Sequence, residues 1–287
     1  MSCLVFSLDD NYLIPFRVFI HSLYATYSIP KECNIFILHS NDLSPASILD
    51  LSRVLNDYSL DPEFINVESA FSADFPLKKW DHVSLATYYR LFIGELLPRS
   101  MSHAVYLDCD MLAVRCVRDI IDLPVSKLIA AVDHCKPSEG LRIWGAKGGC
   151  YFQAGLIKIP VSKWKDLDLA KQFLDVIKND NDRIKWWDQD VLNITLCDQW
   201  ERIPVWYNLT REILDLLDPG LISSCARIIH FTGPYKPWNS YRPSPFTDHW
   251  DRCYHDAFGK RFDRSQFHWL PSMLRKLTNP AKKLFRG

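Results

Sequence analysis

The chain has 287 residues, enough for one large domain with a sizeable core. Apolar residues make up 48% and charged residues 24%, which excludes a disordered or fibrous chain. The formal net charge is zero, but residues 260–287 carry eight Lys or Arg against one acid, leaving an acidic body, so no basic face for nucleic acid is expected on the fold.

In chain order, residues 3–8 read as a buried strand, followed by a helical stretch through Tyr27. A second strand is predicted at 35–38 and a helix at 45–58, entered through an N-cap at Ser44. Strands at 64–67 and 104–107 bracket a helix at 84–97 that Pro98 ends. Further strands are expected at 128–132 and 155–159, a single helix at 162–177 and a short helix at 189–196. Beyond Ile203 the pattern is loop-rich, with a last amphipathic segment at 267–277. The βαβαβ rhythm predicts a mostly parallel sheet with helices on both faces, which binds ligands beyond the carboxyl ends of its strands. No run of 18 apolar residues occurs, and the first residues lack a basic and apolar leader. The nine cysteines form no C-x-x-C pair. The expectation is a reduced, cytoplasmic protein.

Chemistry concentrates in five segments. His103-Ala-Val-Tyr-Leu-Asp108-Cys-Asp110 closes an apolar strand with two carboxylates on one side, a hard oxygen site for a divalent cation. Three other D-x-D triplets occur (166/168, 180/182 and 188/190), but only this one follows such a strand. In Ile229-His230-Phe-Thr-Gly233-Pro-Tyr-Lys236, the histidine can complete the site and tilt it from Mg²⁺ towards Mn²⁺. Lys236 can meet a phosphate, and Gly233 permits close backbone approach. Ser7-Leu8-Asp9-Asp10-Asn11 follows the first strand, where a nucleotide would lie, although Asp10 or Asn11 can equally cap the next helix. His82 and Arg90 lie eight apart, and Arg90 would be a cation beside the metal. Trp186-Trp187-Asp188-Gln189-Asp190 sets acids and an amide beside two indole rings, as sugar sites do.

With these segments in this order, the chain resembles glycosyltransferase family 8, the retaining nucleotide-sugar transferases, from Leu4 to about Trp238. The resemblance implies an A-type glycosyltransferase fold, a Rossmann-like mostly parallel sheet with helices on both faces and a small C-terminal helical appendage. It also implies transfer of a hexose, galactose or glucose, from a UDP-sugar to a saccharide acceptor, in lipopolysaccharide or other surface-glycan synthesis. Asp9 and Asn11, with Ser7, would hold the uridine, and His82 and Arg90 would flank the donor. Asp108, Asp110 and His230 would hold Mn²⁺ or Mg²⁺, and Gly233 and Lys236 the diphosphate. Asp133, Asp188 and Gln189 would surround the transferred sugar, with Gln153, Ala154 and Gly155. The family usually carries Asn where Gln153 stands, a departure at the sugar pocket. Asp188 or Gln189 could serve as nucleophile or stabiliser, and front-face attack with Gln189 as a stabilising dipole is the preferred reading.

Residues 1–250 are therefore read as the transferase domain. Residues 251–287 are read as a basic amphipathic region that meets the inner membrane surface and a lipid-linked acceptor. Two other classes of protein share parts of this pattern. A haloacid-type phosphotransferase would carry its D-x-D on the first strand, and a non-catalytic nucleotide-sugar or glycan-binding relic would have lost part of the site.

Overall fold

The structure, a computed structural model, describes residues 2–70, 85–134, 150–233, 236–239 and 245–264. His82 and the predicted membrane segment at 267–277 lie outside the described residues. The strands are β1 (Ser2–Ser7), β2 (Asn34–His39), β3 (Pro62–Asn66), β4 (His103–Leu107), β5 (Met111–Ala113), β6 (Ile129–Asp133), β7 (Phe152–Pro160), β8 (Trp200–Ile203) and β9 (Ile228–His230). One sheet runs β3-β2-β1-β4-β7-β6-β8, while β5 and β9 form a separate antiparallel pair. Within the large sheet all strands run parallel except β7, which opposes both β4 and β6.

Alternation along the strands divides the apolar side chains between two cores. Cys3, Val5, Ala104 and Tyr106 point into one, with Trp164, Phe173 and Leu192. Leu4, Phe6, Val105 and Leu107 point into the other, with Phe16, Phe19 and Leu51. Helices α1 (Leu13–Ala25) and α2 (Pro45–Asp57) thus cover one face. Helices α3 (Val161–Asp166), α4 (Leu169–Asn179) and α5 (Trp187–Thr195) cover the other. Each fully buried Phe or Leu contributes roughly 1.5–3 kcal/mol, so both faces are firmly held. Ser44 caps α2 by accepting from Ser47 N, with Pro45 in the first turn, as the sequence suggests.

Several elements differ from the sequence reading. The helix expected at 84–97 is, over its described part, a 3₁₀ helix (Leu85–Phe92) followed by one α turn (Ile93–Leu96). Tyr88 with Leu91 and Tyr89 with Phe92, each pair three apart, are all buried, the spacing a 3₁₀ helix superimposes. The single helix expected at 162–177 is split into α3 and α4 at Asp168, whose φ of +49° is left-handed. The three short strands β5, β8 and β9 were not predicted.

By compactness the chain divides into Met1–His230 and Phe231–Gly287, ahead of the division at residue 250 drawn from composition. The second unit contains helix α6 (Thr247–Phe258), in a region expected to be loop-rich. Its aromatic core joins Trp238 to Trp250 (5.6 Å between ring centres) and Phe262 to both Trp250 (5.0 Å) and Tyr254 (4.8 Å). A bidentate pair between Arg264 and Asp251 closes it.

Candidate active site

The order β2-β1-β4 reverses direction at β1, and the crevice beyond the carboxyl ends of β1 and β4 is the ligand position this topology favours. Asp9 lies there after β1, and Asp108 and Asp110 lie there after β4. Tyr12 links the two. Its hydroxyl is held well above its usual range, first by burial and then by the negative fields of Asp110, Asp108 and Asp9. Asp9 also caps the short turn Asp10–Tyr12 by accepting from Asn11 N at 3.0 Å, so its side chain is part of the loop's own architecture.

Antiparallel pairing of β5 with β9 sets Met111 opposite His230, which delivers the histidine to the triplet. His230 Nε2 lies 3.1 Å from Asp110 Oδ1 and 3.7 Å from Asp108 Oδ2. One ligand atom from each of the three residues falls within 4.8 Å of the others. Neighbouring ligands of an octahedral ion at about 2.2 Å stand roughly 3.1 Å apart, so the donor set fits a divalent cation in both chemistry and spacing. Gly155 makes the approach possible. A methyl group there would stand 2.3 Å from His230 Cε1 and 2.7 Å from Asp108 Oδ2.

Behind the triplet lies Arg90, buried to 5% exposure. It pairs with Asp108 Oδ1 through Nη2 (2.8 Å), donates to the Ala154 carbonyl through Nη1 (2.7 Å) and lies over the Tyr106 ring at 4.4 Å. Its Nε stands 2.9 Å from Asp188 Oδ2, but that N–H donates to the Thr87 carbonyl, so the contact with Asp188 is an ion pair without a hydrogen bond. Burial pushes the Asp188 carboxyl up to about 7, although the Arg90 charge pulls it down and Asp108 adds to the rise. Arg90 therefore braces two carboxylates from inside rather than reaching towards solvent. Tyr106, two residues before Asp108 and so on the same strand face, donates to Asp108 Oδ1 at 2.9 Å. Tyr106 belongs to no motif, but strand alternation sets it on the same face as Asp108.

Helix α5 is bonded to the edge of β7 as if it were another strand. Asn193 accepts from Phe152 N and donates to Phe152 O, both at 2.9 Å. Gln189 accepts from Ala154 N and donates to the Tyr151 hydroxyl, both at 3.0 Å. Asp190 is fully buried and accepts from Tyr151 Oη, Lys185 N and Trp186 N. Trp187 opens the helix with φ +45°, a strained value for a bulky residue, beside the half-exposed Trp186.

The remaining predicted residues divide. Asp133, at the carboxyl end of β6, pairs with Arg202 Nε at 3.2 Å. Gln153 is buried and bonded to Gly155 N and Asn208. Ser7 ends β1, paired with Leu38. Gly233 and Lys236 belong to the second unit. There Gly233 has φ +75° with open space around its α-carbon, so conformation rather than crowding selects glycine. The Lys236 ammonium donates to the Phe231 carbonyl.

A doubly covered sheet of this order, with a carboxylate and imidazole site at its switch point, has the architecture of an A-type glycosyltransferase. Residues 3–242 match the profile of Glycosyl transferase family 8, and the chain belongs to that family. It is 26% identical over 255 residues to General stress protein A of Bacillus subtilis, an overlap of 84% of this chain and 88% of that one. With the lipopolysaccharide 1,2-glucosyltransferase of Escherichia coli it shares 28% identity over 174 residues, 56% of this chain and 52% of that one. The crystal structure of the galactosyltransferase LgtC with donor and acceptor sugar analogues superposes with a TM-score of 0.74 at 22% identity, covering 96% of this chain and 99% of that one, which shows a shared fold. This chain is a glycosyltransferase. Among the described residues no helix is long and apolar enough to cross a membrane.

Proposed function

We propose that this glycosyltransferase moves galactose or glucose from a UDP-hexose to a saccharide or lipid-linked saccharide in surface-glycan synthesis, with retention at the anomeric carbon. The observation that carries this reading is the convergence of Asp108, Asp110 and His230 beside the buried Arg90–Asp188 pair. Asp9 and Asn11, with Ser7, are assigned to the uridine, and His82 to the donor's flank. Gly233 and Lys236 are assigned to the diphosphate, and Asp133, Gln153, Ala154, Gly155 and Asp188 to the sugar. The preferred ion is Mn²⁺, with Mg²⁺ as the substitute. When bound, the ion supplies a Lewis acid for the diphosphate oxygens.

The protein's own groups do the positioning. Arg90 holds Asp108 and Asp188 at fixed separation from a site that water does not reach, where a charge acts strongly. Gln189, fixed at both ends of its amide, keeps one carbonyl lone pair for the positive charge that develops at the anomeric carbon. An amide is a poor nucleophile, and Asp188 is buried at 3% exposure against the Arg90 guanidinium. Both points favour front-face attack by the acceptor. Trp186 and Trp187, 46% and 37% exposed, offer apolar faces for the acceptor sugar. The basic C-terminal segment is assigned to the inner face of the cytoplasmic membrane, and the enzyme to the cytoplasm.

UDP release from UDP-galactose and UDP-glucose, with and without Mn²⁺, tests the proposal. One donor should turn over at least ~100-fold faster with Mn²⁺, and Asp110→Ala should abolish the gain. Metal-independent turnover, or a full rate in Asp110→Ala, would overturn it.

A further inference from the structure

The three metal-facing residues are held by neighbours, and those of His230 form a chain with a fixed starting point. The Gly155 main-chain N–H, within β7, donates to Gln153 Oε1 at 2.6 Å. Asn208 Nδ2 donates to the same oxygen, and Asn208 Oδ1 faces His230 Nδ1 at 2.9 Å. All three side chains are buried: Asn208 at 0%, His230 at 3% and Gln153 at 7% exposure.

An Asn or Gln amide can normally be turned end for end, but here the logic permits one arrangement. A backbone N–H is only a donor, so the group of Gln153 that meets it must be the oxygen. That oxygen can accept from Asn208 but cannot donate to it, so Asn208 presents its NH₂ group and turns its own oxygen to the imidazole. The imidazole must then carry its proton on Nδ1. In the neutral ring the lone pair is then on Nε2, 3.1 Å from Asp110 and 3.7 Å from Asp108, on the side where a cation would sit. A free imidazole in water prefers the opposite tautomer, which would aim a proton into the site and block coordination.

We infer that Gln153 and Asn208 are positioning residues that fix a hydrogen on Nδ1 of His230, so that Nε2 is the nitrogen presented to a divalent cation. The inference rests on the metal-site reading above. It gives Gln153 a second duty beside the sugar contact assigned to it, and gives Asn208 one where none had been assigned. The longer side chain at 153 reaches back to Gly155 N, so the departure from the family's usual Asn bears on the metal side of the pocket. Outer partners of this kind, when lost, typically cost 10–100-fold in metal affinity.

The decisive measurement is ¹⁵N-histidine NMR of the metal-free protein at pH 8, with the His230 signal assigned by its loss in His230→Gln. In the unaltered protein Nδ1 should appear as the protonated nitrogen. Asn208→Leu removes both bonds and should move the proton to Nε2, with Mn²⁺ affinity down about 10–100-fold. Asn208→Asp gives up the donor to Gln153 Oε1 but keeps an acceptor for Nδ1–H, and should retain the tautomer. Gln153→Met tests the anchor independently, should Asn208→Leu not fold, and should yield a mixture of both tautomers. The same tautomer in Asn208→Leu or Gln153→Met as in the unaltered protein would overturn the relay. Because the tautomer is read without metal, failure of the unaltered protein to bind Mn²⁺ would instead sink the site reading.

Discussion

At the residue scale, Gly155 carries a sharp prediction. Its α-carbon faces the imidazole so closely that a single methyl group would overlap His230 Cε1 at 2.3 Å and Asp108 Oδ2 at 2.7 Å. Neither neighbour can give way freely, because Asp108 is fixed by Arg90 and Tyr106 and His230 by Asn208. Gly155→Ala should therefore push two metal-facing groups apart, with Mn²⁺ affinity and transfer rate both falling at least ~100-fold. Overpacking of this kind costs about 1–3 kcal/mol of stability. Metal titration beside urea unfolding checks this, and near-normal affinity would mean that the site is looser than its distances imply. Much of this residue set was readable in the sequence. Asp108 and Asp110 stand out because strand alternation puts them on one side, and His230 because it ends an apolar run. Asn208 was not readable: an asparagine between Tyr207 and Leu209 has no periodic or motif signal, and only tertiary contact sets it behind the histidine.

Among the elements, β7 holds an unusual residue, Lys158, 1% exposed, with its ammonium donating to the carbonyls of Ile120 (3.1 Å) and Ile121 (2.6 Å). These carbonyls lie in the one-turn helix Asp119–Asp122, whose C-terminal end welcomes a cation. Burial nonetheless lowers the amine from 10.5 to about 8, against the pull of Asp122. Below pH 8 the group is charged whether folded or unfolded, and the full burial penalty is present. Between about 8 and 10.5 the folded protein gives up the proton while the unfolded chain keeps it, so this residue's contribution to stability rises with pH. Lys158→Met lacks that term. Its stability relative to the unaltered protein should thus fall by about 1–3 kcal/mol between pH 7 and pH 10, read from paired urea midpoints. A pH-independent difference would show that the lysine keeps its ordinary proton affinity. The strands buried on both faces were legible as continuous apolar runs, β1, β2 and β4 above all. The pair β5–β9 was not, since three residues give too short a pattern, yet it is what carries His230 to the triplet. The break between α3 and α4 was hidden because the apolar spacing runs on across Asp168.

For the molecule as a whole, the site ties together parts of the chain that fold at very different sequence positions. Asp108 and Asp110 follow β4, Arg90 comes from the preceding 3₁₀ segment, and His230 closes the first compact unit. An ion held by the three ligands binds the folded chain and has little affinity for the unfolded one, because unfolding scatters them. Ligand linkage then gives about 2.7 kcal/mol at an ion concentration one hundred times Kd. For a unit of this size each kcal/mol moves the melting point about 2–4 °C, so saturating Mn²⁺ should raise it by roughly 5–10 °C. Asp110→Asn keeps the side-chain shape but removes a charged ligand, and its melting point should move by no more than about 2 °C on adding Mn²⁺. Without metal the same variant should melt at or above the unaltered protein, because two carboxylates facing one site repel each other and the substitution removes that repulsion. Scanning calorimetry of both proteins, with chelator and with Mn²⁺, gives the four melting points required. An equal rise in both proteins would place the stabilising ion somewhere other than Asp110. A fall in the metal-free variant would mean that Asp110 stabilises the fold through contacts of its own.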